Sequence, residues 1–505
     1  MPIFNSAQPG LNVTGSQPSH PLLSRRSLLR GGVAAGIGVA GAPLLGVSAL
    51  AGVGQLAVQS TVATRPAAHN PLVLQRADPY VLRHTDGRYY FTGSVPEYDR
   101  VVLRSSDTLA GLSTATEKVV WQQPSSGSMA GFIWAPEMPR IGGKWYIYFA
   151  ASDSGDVWHI RMYVLENSSA NPMEGTWKVA GQVHTPANSF ALDATTFEHE
   201  GTQYLVWAEK NPESNLYIAP LLTPTKIGPP VEIAVPTLPW EVIGFKVNEG
   251  AAVLKRNGRI FISYSASATD ANYCMGLLSA DKNADLLDAT SWAKAPEPVM
   301  SSSTITGLYG PGHNSFTLDD DGSTDMVVYH ARDYKNIVGD PLFDPNRHAR
   351  LQRLYWKADG MPDFGIPVGE GIMPSRLQLA SSLTKHVGIT DAAAIVAGPD
   401  APLASTQFRL VPGFAGPKTI ALEAVLKPGW FLAARGGAVT LEPHTGTVIF
   451  ADSASFNKRP GLSNNQGTSL EVARTPGNFL RAGTGLDSGT AKTSGDRRMA
   501  TFFLR

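Results

Sequence analysis

Three carboxylates and one imidazole stand just upstream of four similar turn-and-strand segments. They are Asp78 in Ala-Asp-Pro, Asp193 in Leu-Asp-Ala, Glu249 in Asn-Glu-Gly, and His313 in Gly-Pro-Gly-His. Singly, each has an ordinary explanation, because aspartate before proline forms turns and a buried aspartate often bonds nearby backbone amides. Glu249 is less ordinary, since an unpaired acid in an otherwise apolar strand is costly.

Two carboxylates facing one bond are the minimum for acid–base hydrolysis of a glycoside. One protonates the leaving oxygen and the other activates water. A third acid can hold the proton of the first in place. The shared position of Asp78, Asp193 and Glu249 relative to the following segment therefore predicts one convergent site rather than three unrelated residues.

A repeat of about 57 residues explains how distant residues could converge. Turn glycines that lead into β-branched and aromatic strands lie 56, 58 and 57 residues apart, and a fifth copy follows 64 residues later. They are Gly87, Gly143, Gly201, Gly258 and Gly322. Such hairpins at this spacing predict five four-stranded blades around a central channel. The innermost strand of each blade would point its residues at the axis.

Composition agrees with an all-β chain and excludes some partners. The 505 residues include 50 Gly and 37 Pro but only 17% charged residues, which is typical of short strands joined by turns. Lys plus Arg and Asp plus Glu are equal at 42 each, so no basic surface for nucleic acid is indicated. The one cysteine, Cys274, excludes an internal disulfide and is interpreted as a buried apolar residue.

The start of the chain has the pattern of a twin-arginine export signal. Arg25-Arg26 precedes an uncharged Gly/Ala/Leu/Val stretch from Gly31 to Gly54, and cleavage is expected after Ala51. Residues 1–68 are therefore assigned to signal and linker, which predicts a secreted or periplasmic protein with no membrane contact after cleavage. The alternative is an uncleaved anchor, because the stretch could just span a bilayer.

A second period occupies the C-terminal part. Phe408, Phe456 and Phe502 are 48 and 46 residues apart and close three similar segments. Three lobes of all-β composition predict a β-trefoil. The domain assignment is thus 69–375 for a five-bladed β-propeller and 376–505 for a β-trefoil.

Residues of about 70 to 375 resemble glycoside hydrolase family 43. The resemblance rests on Ala77-Asp78-Pro79, Trp134-Ala135-Pro136-Glu137, Asp193 in the third repeat and Glu249 before Gly-Ala in the fourth. It implies hydrolysis with inversion, with Asp78 as general base, Glu249 as general acid, and Asp193 as the residue that tunes and orients Glu249. Inversion predicts that acid and base stand about 6.5 to 9.5 Å apart.

The resemblance also suggests supporting residues. Arg347 would contact substrate, although Arg350 and Arg353 are close enough to be in its register. Phe132 and Trp134 would form an apolar wall for a furanose ring. No cofactor is required for the chemistry, but His313 could help hold a structural calcium or sodium ion in the channel, or could simply be a neutral core histidine.

The C-terminal segment resembles the arabinofuranose-binding trefoil of carbohydrate-binding module family 42. Predicted sugar-binding residues are His386, Asp400, Asp452 and Asp496. Alanine stands near the expected histidine in the second and third lobes, so weak binding in at most one lobe is expected, or a purely structural trefoil.

Together these resemblances imply a hydrolase that releases L-arabinofuranose from arabinan or arabinoxylan side chains. Its partner would be plant cell-wall polysaccharide or an arabino-oligosaccharide. Alternatives on the same propeller are a β-xylosidase, an endo-arabinanase or a galactosidase, because the three acids do not encode the sugar. A non-catalytic sugar-binding protein is a further alternative.

Overall fold

The computed structural model describes residues 68–505, and the regular structure there is almost entirely β-sheet. The predicted export signal lies outside the described residues, apart from Ala68. None of the helices within 68–505 has the length and hydropathy needed to cross a bilayer. Cys274 is buried and unpaired, as expected.

Five antiparallel sheets follow one another along the chain after β1 (His69–Asn70). The first is formed by β2 (Ala77–Arg83), β3 (Tyr89–Ser94), β4 (Arg100–Ser106) and β5 (Lys118–Gln122). The second comprises β6 (Gly131–Glu137), β7 (Arg140–Ile141), β8 (Lys144–Asp153), β9 (Asp156–Asn167) and β10 (Lys178–Gln182). The third comprises β11 (Ala191–His199), β12 (Thr202–Lys210), β13 (Ser214–Thr223), β14 (Lys226–Ile227) and β15 (Val231–Ala234).

The fourth sheet contains β16 (Asn248–Arg256), β17 (Arg259–Ala266), β18 (Cys274–Asp281) and β19 (Ala293–Lys294). The fifth contains β20 (Tyr309–Leu318), β21 (Asp325–Arg332) and β22 (His348–Arg353). Short 3-10 helices lie at Ala110–Ser113, Pro239–Glu241, Ala289–Ser291, Pro341–Phe343 and Leu403–Thr406. The five-bladed propeller predicted from the repeat is confirmed.

The predicted turns are also present. All five repeat glycines adopt positive φ, between 72° and 84°, which L-residues with a Cβ rarely adopt. In four blades the turn joins the innermost strand to a buried second strand, such as Tyr89–Ser94, and in the second blade it joins β7 to β8.

One detail of the prediction was wrong, because the fifth blade has three strands of its own. The outer edge of β22 pairs instead with residues from the start of the described chain. Val73 bridges Ala349, and the Asn70 side chain both donates to the Leu351 carbonyl and accepts from its N–H. The segment before β2 thus fills the place of a fourth strand and ties the two ends of the propeller together.

After the blades come the short strands β23 (Tyr355–Trp356), β24 (Pro362–Asp363) and β25 (Gly371–Ile372), the last of which pairs with β1. A twelve-stranded sheet then forms the C-terminal trefoil. Its first half contains β26 (Ser375–Leu379), β27 (Ser382–Ile389), β28 (Ala394–Ala397), β29 (Gln407–Pro412), β30 (Ile420–Ala424) and β31 (Trp430–Arg435). Its remaining elements are β32 (Ala438–Pro443), α1 (Val448–Ser453), β33 (Phe456–Pro460), β34 (Thr468–Val472), β35 (Asn478–Ala482), β36 (Leu486–Thr490), α2 (Ser494–Met499) and β37 (Phe502–Leu504).

The threefold period corresponds to a common core. Phe408, Phe456 and Phe502 are all fully buried and belong to one apolar cluster. Each follows a short helical segment: a 3-10 helix before Phe408, and α1 and α2 before the other two. Burying one large ring per lobe at the same point gives the three lobes their shared centre.

Candidate active site

The three predicted carboxylates lie near the starts of three innermost strands, β2, β11 and β16. In each strand the pairing with the next strand shifts register just at the acid, as in a β-bulge. Asp78 and Asp193 have φ of 51° and 59°, and the Gly250 that follows Glu249 has φ of 58°. A left-handed residue inside a strand re-aims the neighbouring side chain, so the repeated bulge turns all three acids to the same end of the channel.

Asp78 is held as a carboxylate. One oxygen accepts a hydrogen bond of 2.5 Å from Ser94, and the other lies 3.3 Å from Nδ1 of His313 and 3.6 Å from Nη1 of Arg347. Burial opposes ionisation, but the His313 ring, the Arg347 guanidinium and the bond from Ser94 outweigh it and lower the pKa of Asp78 to about 2. Its environment is therefore that of a base that stays charged.

The surroundings of Glu249 shift its pKa in the opposite direction. Burial raises its pKa to about 7, the Tyr273 hydroxyl that donates to Oε1 over 2.9 Å opposes that rise, and the negative charge of Asp78 adds to it. Glu249 is only partly buried, whereas Asp78 and Asp193 are 8% and 6% exposed. The site therefore opens to solvent on the side of Glu249.

Asp193 interacts electrostatically with both other acids. Burial and the neighbouring charges of Glu249 and Asp78 raise its pKa, while the backbone N–H of Gly250 donates to Oδ2 over 2.9 Å and favours its charged form. Repulsion between Asp193 and Glu249 prevents both acids from ionising together, so the pair retains a proton near neutral pH.

His313 connects two of the acids. Its Nδ1 lies 3.3 Å from Asp78 and 3.9 Å from Asp193, and burial lowers the pKa of the ring. Within residues 68–505, no group of three or more His, Cys, Asp or Glu side chains is arranged as a metal site. An ion in the channel would thus have to bind through His313 and water, and this remains a prediction.

Arg347 is the arginine that reaches the site. It is buried, donates from Nη2 to the Tyr98 hydroxyl over 2.6 Å, and its Nε has no partner within the protein. The two other arginines in this stretch are engaged elsewhere, since Arg350 pairs with Asp333 and Arg353 with Asp319. Of Arg347, Arg350 and Arg353, only Arg347 lies beside Asp78.

Phe132 and Trp134 form one wall beside the acids. Their rings stack with centroids 4.8 Å apart and planes 14° apart, and Tyr98 meets both edge-on. The indole N–H of Trp134 is buried without a partner in the protein. An apolar wall with polar groups nearby that are free to bond suits the ring of a sugar.

Three residues that contact Asp78 or Glu249 were missed by sequence reasoning. Tyr273 lies in the loop before β18, His330 lies on β21, and Ser94 ends β3, so all three lie outside the innermost strands that the repeat singled out. His330 accepts the Asp78 backbone N–H at Nδ1 over 3.1 Å, which makes it a neutral ring, and burial lowers its pKa. It stacks on Tyr273 with planes 5° apart, linking the surroundings of Asp78 and Glu249. No motif marks these positions.

The four predicted trefoil residues have different surroundings. His386 is buried beside Arg376, and burial and that charge lower its pKa to about 4. Asp452 pairs with Arg474, whereas Asp496 caps the start of α2. Asp400 alone is exposed, beside a cavity of about 660 Å³. Their role in sugar binding remains a prediction.

Comparison with known proteins agrees with this geometry. Residues 68–362 match Glycosyl hydrolases family 43, and residues 381–502 match the Alpha-L-arabinofuranosidase B (ABFB) domain. The extracellular exo-α-(1→5)-L-arabinofuranosidase of Streptomyces avermitilis is 50% identical over 399 residues, which cover 78% of this chain and 83% of the relative. Alpha-L-arabinofuranosidase 43 of Humicola insolens is 47% identical over 454 residues, covering 86% of this chain and 94% of the relative.

A solved structure supports the same conclusion. The α-L-arabinofuranosidase of Lactobacillus brevis shares 50% identity and superposes with a TM-score of 0.58, covering 60% of this chain and 97% of that one. The family match spans more than half of the chain, and the curated relatives extend it into the trefoil. This chain therefore belongs to glycosyl hydrolases family 43 and is a glycoside hydrolase with a C-terminal ABFB domain.

Proposed function

We propose that the enzyme removes terminal L-arabinofuranosyl units from arabinan or arabinoxylan side chains, with inversion at the anomeric carbon. One observation carries the proposal: two carboxylates at the same end of the channel have environments that push their pKa values apart, to about 2 for Asp78 and about 7 for Glu249. The arabinofuranosidase names of the relatives and the ABFB match support arabinose as the sugar.

In the proposed reaction, Glu249 gives its proton to the glycosidic oxygen as the bond from that oxygen to the anomeric carbon breaks. Asp78 takes a proton from a water molecule whose oxygen attacks the opposite face of the same carbon. The leaving alcohol carries away the first proton and Asp78 holds the second. Exchange with solvent through the open side of the pocket returns both acids to their starting states.

The other residues position these groups in the proposal. Asp193 orients Glu249 and, through its charge, helps keep the proton there. Arg347 holds Asp78 from one side and offers its unpartnered Nε to a sugar hydroxyl. Trp134 and Phe132 supply the apolar wall for the furanose ring.

For the rest of the chain, we propose export through the twin-arginine route, directed by residues 1–68. Two relatives are named as extracellular enzymes, which supports a secreted enzyme here. The trefoil, assigned to 376–505, is proposed to resemble carbohydrate-binding module family 42 in holding arabinose side chains. Asp400 is the residue best placed for this, because it is exposed beside a cavity.

The sugar is tested by the release of nitrophenol from aryl α-L-arabinofuranoside and aryl β-D-xyloside. The wild-type enzyme is expected to cleave the first and to leave the second almost untouched. Efficient cleavage of the xyloside alone would refute the proposed sugar while leaving the glycosidase assignment intact.

The roles of the acids are tested with two leaving groups. Nitrophenolate departs without protonation, so Glu249→Gln should lose about 10²- to 10⁴-fold on arabinobiose and much less on the aryl substrate. Asp78→Asn should lose activity to a similar degree on both, because water must be activated in either case. Glu232→Gln is the matched control, since that acid bonds Tyr217 in the third blade, away from the site. Equal losses on both substrates for Glu249→Gln would refute its role as general acid.

A further inference from the structure

A ladder of aromatic rings leads from the acids to solvent. Trp134 stacks on Phe132, and Phe132 in turn has the Trp158 ring 5.6 Å away and the Phe343 ring 6.1 Å away. The inner ring is buried, whereas Trp158 and Phe343 are 56% and 57% exposed. The apolar wall of the pocket therefore continues past the site of bond cleavage.

The outer rings come from different blades. Trp158 lies at the start of β9 in the second blade, and Phe343 lies in the 3-10 helix between β21 and β22 of the fifth. That helix is fixed to the first blade, because the Tyr98 hydroxyl donates to the Leu342 carbonyl over 2.5 Å. The two rings are thus held from both sides of the mouth, next to Phe132.

Exposed aromatic rings are concentrated at this end of the propeller. Within residues 68–505, the Phe and Trp side chains classed as exposed are Trp158, Phe245 and Phe343. Each lies at or beside the end of its blade that carries the predicted acids, and two of them join the ring ladder. Apolar surface left in water beside a polar pocket marks a place where a ligand is bound.

We propose that Trp158 and Phe343 form a platform for the sugar residue on the leaving-group side of the scissile bond. The inference rests on the proposed function, because it takes the terminal arabinofuranose to lie against Trp134 and the acids. A sugar linked to that unit would extend outward along the ladder, where its C–H faces could cover the exposed rings. The platform makes cleavage depend on the sugar that leaves as well as on the one released.

The platform is tested by comparing leaving groups of different size. Methyl α-L-arabinofuranoside requires the same acid and base but leaves only methanol, whereas α-1,5-arabinobiose leaves a second sugar. Trp158→Ala and Phe343→Ala are each expected to lower kcat/KM for arabinobiose roughly tenfold and to leave the methyl glycoside nearly unchanged. Trp158→Phe, which keeps a ring, should restore most of the loss.

Leu222→Ala is the matched control, because Leu222 is 59% exposed on β13 of the third blade and has no part in the ladder. Binding is measured separately by titrating arabinotriose into Glu249→Gln with and without Trp158→Ala, and the second change should weaken Kd by a similar factor. If the variants lost no kcat/KM on either substrate, or lost it equally on both, the platform would be overturned. If wild-type enzyme cleaved neither substrate, the proposed function itself would fail, a result distinct from these two.

Discussion

The hydrogen bond from Tyr273 to Glu249 gives the sharpest test of how the acid is tuned. The Tyr273 hydroxyl donates to Oε1 over 2.9 Å, and its ring stacks on His330. Tyr273→Phe keeps the ring and its stacking while it removes the donor. The change should therefore act on the proton of Glu249 with little effect on folding.

The direction and size of the effect follow from the contact. A hydrogen bond to the charged carboxylate stabilises it, so its loss raises the pKa of Glu249. Bonds to charged groups contribute about 1.5 to 3 kcal/mol, and one pKa unit corresponds to about 1.36 kcal/mol. Because Glu249 is partly exposed and water can replace the hydroxyl, we expect the lower end, about one pH unit.

The assay is the pH dependence of kcat/KM on arabinobiose, which reports the free enzyme. A general acid must be protonated, so wild-type activity should fall as pH rises through about 7, and the fall in Tyr273→Phe should occur about one unit higher. Tyr217→Phe is the matched control, since that hydroxyl bonds Glu232 over the same 2.9 Å outside the site. An alkaline limb that stayed in place or moved to lower pH would refute this account of Glu249.

The remaining predictions concern the base, the channel and the trefoil. Arg347→Met removes a positive charge 3.6 Å from Asp78 and should raise the pKa of that base. The acid limb of the pH profile of kcat/KM should therefore move to higher pH. An acid limb at the same pH in wild type and variant would contradict this. If an ion binds at His313, calcium at a hundred times its Kd should stabilise the fold by about 2.7 kcal/mol, seen as a higher Tm that His313→Ala abolishes; equal Tm values with calcium and with chelator would contradict the site. If the trefoil holds arabinose, Glu249→Gln enzyme should be retarded in gels that contain arabinan, and adding Asp400→Ala should remove the retardation; migration unaffected by arabinan would favour a structural trefoil.

Much of the fold could be predicted from the sequence because structural repeats produce regular spacings. Turn glycines at regular spacing located the blades, and Phe408, Phe456 and Phe502 located the three lobes, since each repeat must bury the same kind of residue at the same point. The missing fourth strand of the fifth blade could not be predicted in this way. Residues 70–73 complete it through pairings that join opposite ends of the propeller, and such pairings have no local pattern.

The same distinction separates the site residues that could be predicted from those that could not. Asp78, Asp193 and Glu249 could be found because the innermost strands repeat, and each acid occupies the same bulge. Tyr273 and His330 tune those acids from a loop and a second strand. Their contacts depend on how the loop folds and on how neighbouring blades pack. A single sequence does not show these features, because Tyr273 and His330 lie in no recognisable motif.

Asp78 and Glu249 are proposed to cleave the bond in one displacement by water. Proton NMR of the sugar in the first moments of hydrolysis of an α-L-arabinofuranoside tests it directly. β-L-Arabinofuranose should appear first, and the α anomer should grow only later by mutarotation. Initial release of α-L-arabinofuranose would contradict it, because retention requires a covalent intermediate that this division of roles does not provide.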